Sequence, residues 1–204
     1  MEVRGYRPGD WPALYRICLR TGDSGRDATG RYANPRLLGH VYVGPYLALA
    51  RELALVLDRG DGTPVGYALA ARDTAEFAAR CEARWWPALR RRYPDPAGVP
   101  PERRSPDQRL ASQIHHPPPV PEVAGRYPSH LHVDLLPEAQ GRGYGRALLD
   151  RLLAGLAAAG SPGVHLGVDP ANTGALGFYR RWGFTELARS PGVIYFGTAL
   201  PVVR

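Results

Sequence analysis

The sequence predicts an α/β (α+β) domain, and three stretches carry that expectation. His132-Val133-Asp134-Leu135-Leu136 alternates like a strand and runs into a glycine loop, Gln140-Gly141-Arg142-Gly143-Tyr144-Gly145, and then into leucines at helical spacing from Arg146 to Leu153. Glu52 to Asp58 and Pro64 to Ala70 read as two strands of a hairpin across Gly60-Asp61-Gly62. Asn172 to Gly183 reads as a helix with an asparagine cap and a glycine stop, followed by a strand from Val193 to Leu200.

Taken in order, Val3 to Arg7 alternates as a first strand, and Pro8-Gly9 turns into a helix from Trp11 to Arg20 with Asp10 at its N-cap. Leu14, Ile17 and Cys18 share its core face. Thr21 to Pro35 is rich in turn residues and predicts a loop. Pro45 to Ala50 is apolar and aromatic. From Thr74, the spacing of Phe77, Cys81 and Trp85 predicts one helix that ends before Tyr93-Pro94. Prolines then bracket a short helical piece around Gln108 to Ala111, which predicts an excursion over the surface at about 94–128. Ser161-Pro162-Gly163 turns into a strand, Val164 to Val168. In the helix after Asn172, the positions Ala175, Phe178, Tyr179 and Trp182 have core-facing spacing.

The 204 residues suit one well-buried domain, with an apolar share of 44% and a charged share of 22%. No apolar run is long enough to span a bilayer and Met1 begins no charged-then-apolar leader, so the expectation is a cytoplasmic protein with no membrane partner. Cys18 and Cys81 sit in helical patterns and read as buried thiols. The formal charge of +7 comes from arginine alone, for the chain has no lysine. Those arginines are scattered, with short groups such as Arg90-Arg91-Arg92 and Arg103-Arg104 and no single block, which argues against a nucleic-acid partner and suits a polyanionic ligand. His115-His116 has no carboxylate or cysteine at ligand spacing, so no metal site is expected.

The glycine loop points to an anion. Glycines at alternate positions leave successive N–H groups room to face one concavity, and the positive end of the following helix reinforces the field. A P-loop is excluded because it needs Gly-Lys. A dinucleotide fingerprint is excluded because the third glycine is replaced by Arg146 in one register and by Leu148 in the other. By itself the pattern also fits a plain glycine turn before a helix.

Gln140-x-x-Gly143-x-Gly145 resembles the Q/R-x-x-G-x-G/A signature of the GNAT superfamily of N-acetyltransferases. Asn172, Ala175, Phe178, Tyr179, Gly183 and Phe184 resemble its second element, N-x-x-A-x-x-F-Y-x-x-x-G-F. Two motifs in the right order, joined by a helix and a strand, make the resemblance specific. Over nearly the whole chain, through Tyr6-Arg7-Pro8, Gly66-Tyr67-Ala68-Leu69, Trp85-Trp86-Pro87 and His132-Val133-Asp134, it is also similar to the acetyltransferase-like C-terminal region of O-GlcNAcase. No hydrolase domain is present, so glycosidase activity is not implied.

The resemblance implies a GNAT fold: a mixed, mostly antiparallel sheet with helices on both faces, in which two parallel strands, His130–Leu136 and Val164–Val168, splay apart. It implies acetyl-CoA as cofactor, with its pyrophosphate on Gln140, Gly141, Arg142, Gly143, Tyr144, Gly145 and Arg146. The thioester carbonyl would meet the Leu135-Leu136 backbone, and the cofactor arm Asn172. Tyr179 matches the family tyrosine that faces the sulfur and would protonate the leaving thiolate. Asp134 lies on the strand face opposite Val133 and Leu135, where it would act as base, directly or through water; His132 shares that face.

The implied acceptor is a small-molecule or peptide primary amine, attacking directly in a ternary complex. Asp23, Tyr46, Trp86 and His132 are candidates for its wall, with Trp85 and Trp86 reading equally as packing residues. The alternative is a catalytically silent acetyl-CoA-binding or protein-interaction module. The oligomeric state is not legible.

Overall fold

Pro64–Ala71 (β3) is buried at all 8 of its positions, which requires cover on both faces of the sheet around it. The computed structural model describes residues 1–201. Its other strands are Glu2–Gly5 (β1), Ala54–Asp58 (β2), Ser129–Leu135 (β4), Gly163–Val168 (β5), Thr185–Ser190 (β6) and Val193–Ala199 (β7). Together they form a 7-stranded sheet in the order β1-β2-β3-β4-β5-β7-β6. Every neighbouring pair is antiparallel except β4 and β5, which run parallel.

The helices are Trp11–Thr21 (α1), Leu37–Tyr42 (α2), Gly44–Leu49 (α3), Thr74–Arg84 (α4), Trp86–Arg92 (α5), Pro106–His115 (α6), Tyr144–Ala158 (α7) and Thr173–Trp182 (α8). Successive strand side chains face opposite ways, so Tyr67 and Asp134 share one face and Leu135 takes the other. α1 covers the first, where Cys18 reaches Tyr67; α7 covers the second, where Gly145 lies against Leu135. Leu148, Leu149, Leu152, Leu153 and Leu156 of α7 are all buried, as their helical spacing requires.

The parallel pair carries the opening. β4 and β5 are in register only at Ser129↔Val164 and His130↔His165, and past these the ladder stops. Leu136 donates its N–H to the Val65 carbonyl at 2.9 Å. Ladder groups alternate between the two edges of a strand, so the Leu135 N–H points away from β3, toward the gap beside β5.

Several sequence expectations change. The single helix from Thr74 is two, because Pro87 has no N–H to continue α4 and instead occupies the first turn of α5. Asp10 precedes α1 without capping it; its carboxylate takes the Arg7 N–H and both ends of the Arg4 guanidinium, which also reaches Asp58 at 2.8 Å. β6 has no in-and-out alternation to mark it as a strand, because it lies exposed on the sheet edge. α2 is too short for a periodic signal. The piece around Gln108 extends to Pro106–His115, started by a Ser105–Gln108 capping box.

On the α1 face of β4, the His130 imidazole packs edge-on against Tyr46 and Phe77. Burial, with His132 and His165 adding to it, pushes His130 down to about 3. An unfolded histidine takes its proton near about 6.5. Between those values the unfolded chain holds a proton that the folded chain refuses, so stability is full above that window and falls as pH drops through it. The expected loss is on the order of 2 kcal/mol by about pH 4.5. Urea unfolding at both pH values checks this: His130→Phe should flatten the slope, and an equally steep loss in the variant overturns the assignment to His130.

Candidate functional site

The site begins where β4 ends. Leu135 gives its carbonyl to the Gln140 side-chain amide at 2.8 Å, which folds the loop back onto the strand. Gly141 and Gly143 then adopt φ of +70° and +81°, a region that costs an L side chain about 1 kcal/mol or more. Nothing stands within 4 Å of a Cβ built on either, so the space beside the loop is open. Gly143 is the N-cap of α7 and no side chain caps that helix, leaving its first N–H groups to a ligand.

Beside the loop lies a cavity of about 660 Å³, lined by Gln140, Gly141, Gly143, Gly145 and Arg146 at one end and by Leu135, Asn172 and Tyr179 further in. Arg142 and Tyr144 alternate with the glycines and do not line it; the Tyr144 ring packs on the core instead. Leu136 is also turned away. Its N–H is committed to Val65 and its carbonyl to the Ala139 N–H, so of the expected Leu135-Leu136 pair only Leu135 faces the gap.

Asn172 caps α8, accepting the Ala175 N–H at 3.0 Å, and its side chain edges the same cavity. The loop after α1 is drawn across to it, because the Ser24 hydroxyl donates to Asp169 at 2.7 Å beyond the end of β5. That contact spans 145 positions of sequence and left no local signal. An open glycine cradle, an uncapped helix start and a long cavity ending at a buried tyrosine fit a pyrophosphate with an extended arm.

Deeper in, Asp134 borders both this cavity and a second one of about 350 Å³. The Tyr67 hydroxyl donates to its Oδ2 at 2.5 Å, which fixes the carboxylate and leaves Oδ1 unclaimed by any hydrogen bond among the described residues. Tyr179 is 6% exposed; burial, and then the charge of Asp134, hold its phenol well above the ordinary range. His132 lines the second cavity, its ring edge-on to Tyr42 and Tyr46. Burial pushes its imidazole down, opposed by Asp134, so it is neutral near pH 7.

The other acceptor candidates fall outside. Asp23 is held by Arg26 and Arg31 and borders neither cavity. Tyr46 is buried and stacked on Phe77 with centroids 4.6 Å apart. Trp86 is 8% exposed and belongs to the core, while Trp85 donates its indole N–H to the His40 carbonyl. In their place the second cavity uses Thr21, Tyr32, Tyr42, Arg109 and Gln113. Of these, Arg109 and Gln113 come from α6, which reaches the cavity only through tertiary packing. His115 and His116 bond the Tyr93 carbonyl and Asp95, and among the described residues no group of three or more metal-binding side chains converges.

Comparisons with known proteins agree with this fold. The sequence profile of the Acetyltransferase (GNAT) family matches residues 111–184. The crystal structure of SsHAT superposes with a TM-score of 0.91 at 46% identity, covering 97% of each chain. The structure of yncA from Salmonella typhimurium with its cofactor acetyl-CoA gives 0.57 at 16% identity over 100% of this chain and 96% of that one, a likeness of fold. Protein O-GlcNAcase from Rattus norvegicus is 29% identical over 204 residues, 97% of this chain but 22% of its own length. The chain thus spans about a fifth of that curated relative.

Proposed function

The chain belongs to the acetyltransferase (GNAT) family, whose members use acetyl-CoA, and we propose that it acetylates a primary amine by direct attack within a ternary complex. The observation that carries this reading is the place of Asp134: with Thr21 and Ser24 it borders both the cavity at the glycine loop and the smaller cavity behind it, and among the residues lining both it is the one carboxylate. A donor in the first and an amine in the second meet at that residue.

Acetyl-CoA supplies the acyl group as an activated thioester. The chain's own part is to hold, orient and move protons. The Gly141–Gly145 loop and the start of α7 bind the pyrophosphate, with Arg146 beside them. The Leu135 N–H, free of β3, donates toward the oxygen on which negative charge grows. Asp134 takes the amine proton on Oδ1, directly or through water, while Tyr67 holds Oδ2.

Tyr179 keeps its proton at every pH near neutrality, so its hydroxyl donates a hydrogen bond to the departing sulfur. Its raised pKa makes it a weaker acid than a free phenol, and stabilisation of the developing thiolate is a larger part of its role than full transfer. Tyr179→Phe is expected to leave acetyl-CoA affinity within about three-fold and to lower kcat about ten- to a hundred-fold. Calorimetry and a free-thiol assay measure the two, and an unchanged kcat removes the hydroxyl from the mechanism.

The function itself is tested by titrating acetyl-CoA calorimetrically and then assaying thiol release against amino acids, amino sugars, polyamines and lysine peptides. Release with at least one acceptor supports the enzyme. Tight binding with no release on any of them favours a silent binding module.

A further inference from the structure

We propose that the acceptor is a small primary amine carrying its own anionic group, a carboxylate or a phosphate, which Arg109 receives while the amine meets Asp134. This rests on the acetyltransferase reading above and specifies its acceptor.

The cavity behind Asp134 is small, about 350 Å³, and one of its walls is α6. That helix is not a loose excursion. Asp107 accepts the Ala33 and Asn34 N–H groups at 3.0 and 2.9 Å, the Tyr42 hydroxyl donates to Gln113 at 3.1 Å, and Arg104 bonds Ser112. Pro106, Arg109, Leu110 and Gln113 all border the cavity, the i, i+3, i+4, i+7 stripe of one helix face. Arg109 therefore stands on the stripe turned to the cavity.

Its charge is also uncommitted. Arg31, the other arginine of this wall, is held by Asp23, whereas the Arg109 side chain makes no ion pair or hydrogen bond among the described residues. Of the two carboxylates in the wall, Asp169 is occupied by the Ser24 hydroxyl and the Ala171 N–H, which leaves Asp134 to face an amine. His132 adds no charge near pH 7. A cavity with an open carboxylate at the donor end and an open guanidinium on α6 matches a molecule with an amine at one end and an anion at the other. It disfavours polyamines and lysine-rich peptides, whose further positive charges would meet the two arginines.

In the reaction the acceptor's ammonium form first gives one proton through Asp134 to solvent; the free amine's N–C bond then forms as the thioester C–S bond breaks, the bonding pair leaves on sulfur, and the second nitrogen proton ends on that thiolate, giving the amide and the free CoA thiol. The anionic group takes no part in bond making; it orients.

Thiol release at saturating acetyl-CoA tests this with matched acceptors: glycine, β-alanine and 4-aminobutyrate, each against its carboxamide, and O-phosphoethanolamine against ethanolamine, with spermidine as the polycation. At least one anionic member is expected to exceed its neutral partner about ten-fold in kcat/KM, the scale of one charge-assisted hydrogen bond. The carboxylate and phosphate arms separate the two anion types. Arg109→Gln should remove that preference through KM, and Arg109→Lys should restore part of it; acetyl-CoA affinity of the same samples reports that the donor cleft is intact. Equal rates within every pair, a preference for spermidine, or a preference that survives Arg109→Gln overturns the proposal while leaving an acetyltransferase. Acetyl-CoA binding without release on any acceptor overturns both readings.

Discussion

Gly143→Glu is expected to abolish acetyl-CoA binding, weakening it at least about a hundred-fold, while the domain stays folded. Two effects add. Gly143 sits at φ +81°, so any L side chain strains the turn, by about 1 kcal/mol. The glutamate then brings bulk and a negative charge to the open space at the start of α7, where phosphate oxygens would otherwise meet N–H groups. Gly143→Ala separates the two, since it carries the strain with little bulk and no charge; its loss should be smaller by about ten-fold or more. No atom lies within 4 Å of the added Cβ, so core packing is not at stake. Calorimetric titration gives the affinities and thermal unfolding checks the fold. Unchanged affinity in the glutamate variant would falsify the assignment of this loop to the pyrophosphate.

For Asp134→Asn the expected result is a fall in kcat of about a hundred- to a thousand-fold with acetyl-CoA affinity nearly intact. The amide is nearly isosteric, and its oxygen can still accept the Tyr67 hydroxyl that now donates at 2.5 Å. What it lacks is a basic oxygen for the amine proton. A loss confined to kcat is therefore the signature of a base, whereas a drop in thermal stability with affinity falling in step would mark a residue that merely holds the wall. The pH profile adds an independent readout: the variant's residual rate should follow the free amine of the acceptor alone. Activity within about two-fold of the parent would leave the proton to another group or to water.

The half of the site assigned above to the donor was largely visible in one dimension. Gln140 to Gly145 and Asn172 to Tyr179 are each local devices, a loop with backbone demands that glycine meets and a helix with its own cap and stop, so their spacing survives in the sequence. The same holds for the β2–β3 hairpin and the leucine face of α7. Even there, the side on which a residue emerges was ambiguous. Leu136 belongs to the pattern, but its N–H turns to Val65, and parity along the strand hands the open edge to Leu135.

Of the candidates for the acceptor side, only His132 borders the second cavity. Asp23, Tyr46 and Trp86 were plausible by type, yet an ion-pair cluster, a ring stack and the core claim them. The cavity is assembled instead from α1, α2, α6, β4 and the Ser24 loop, joined by contacts such as Asn34 to Asp107 and Ser24 to Asp169 that lie 73 and 145 positions apart. Local periodicity could establish that the chain alternates strands and helices around a glycine turn that opens a helix, because backbone conformation and amphipathic spacing act over a few residues. Which strand edge opens, which carboxylate is shared between two cavities and which arginine faces one of them depended on the packing of distant segments. Those distances are set by burial and hydrogen bonding across the whole sheet, which leave no periodic trace along the chain.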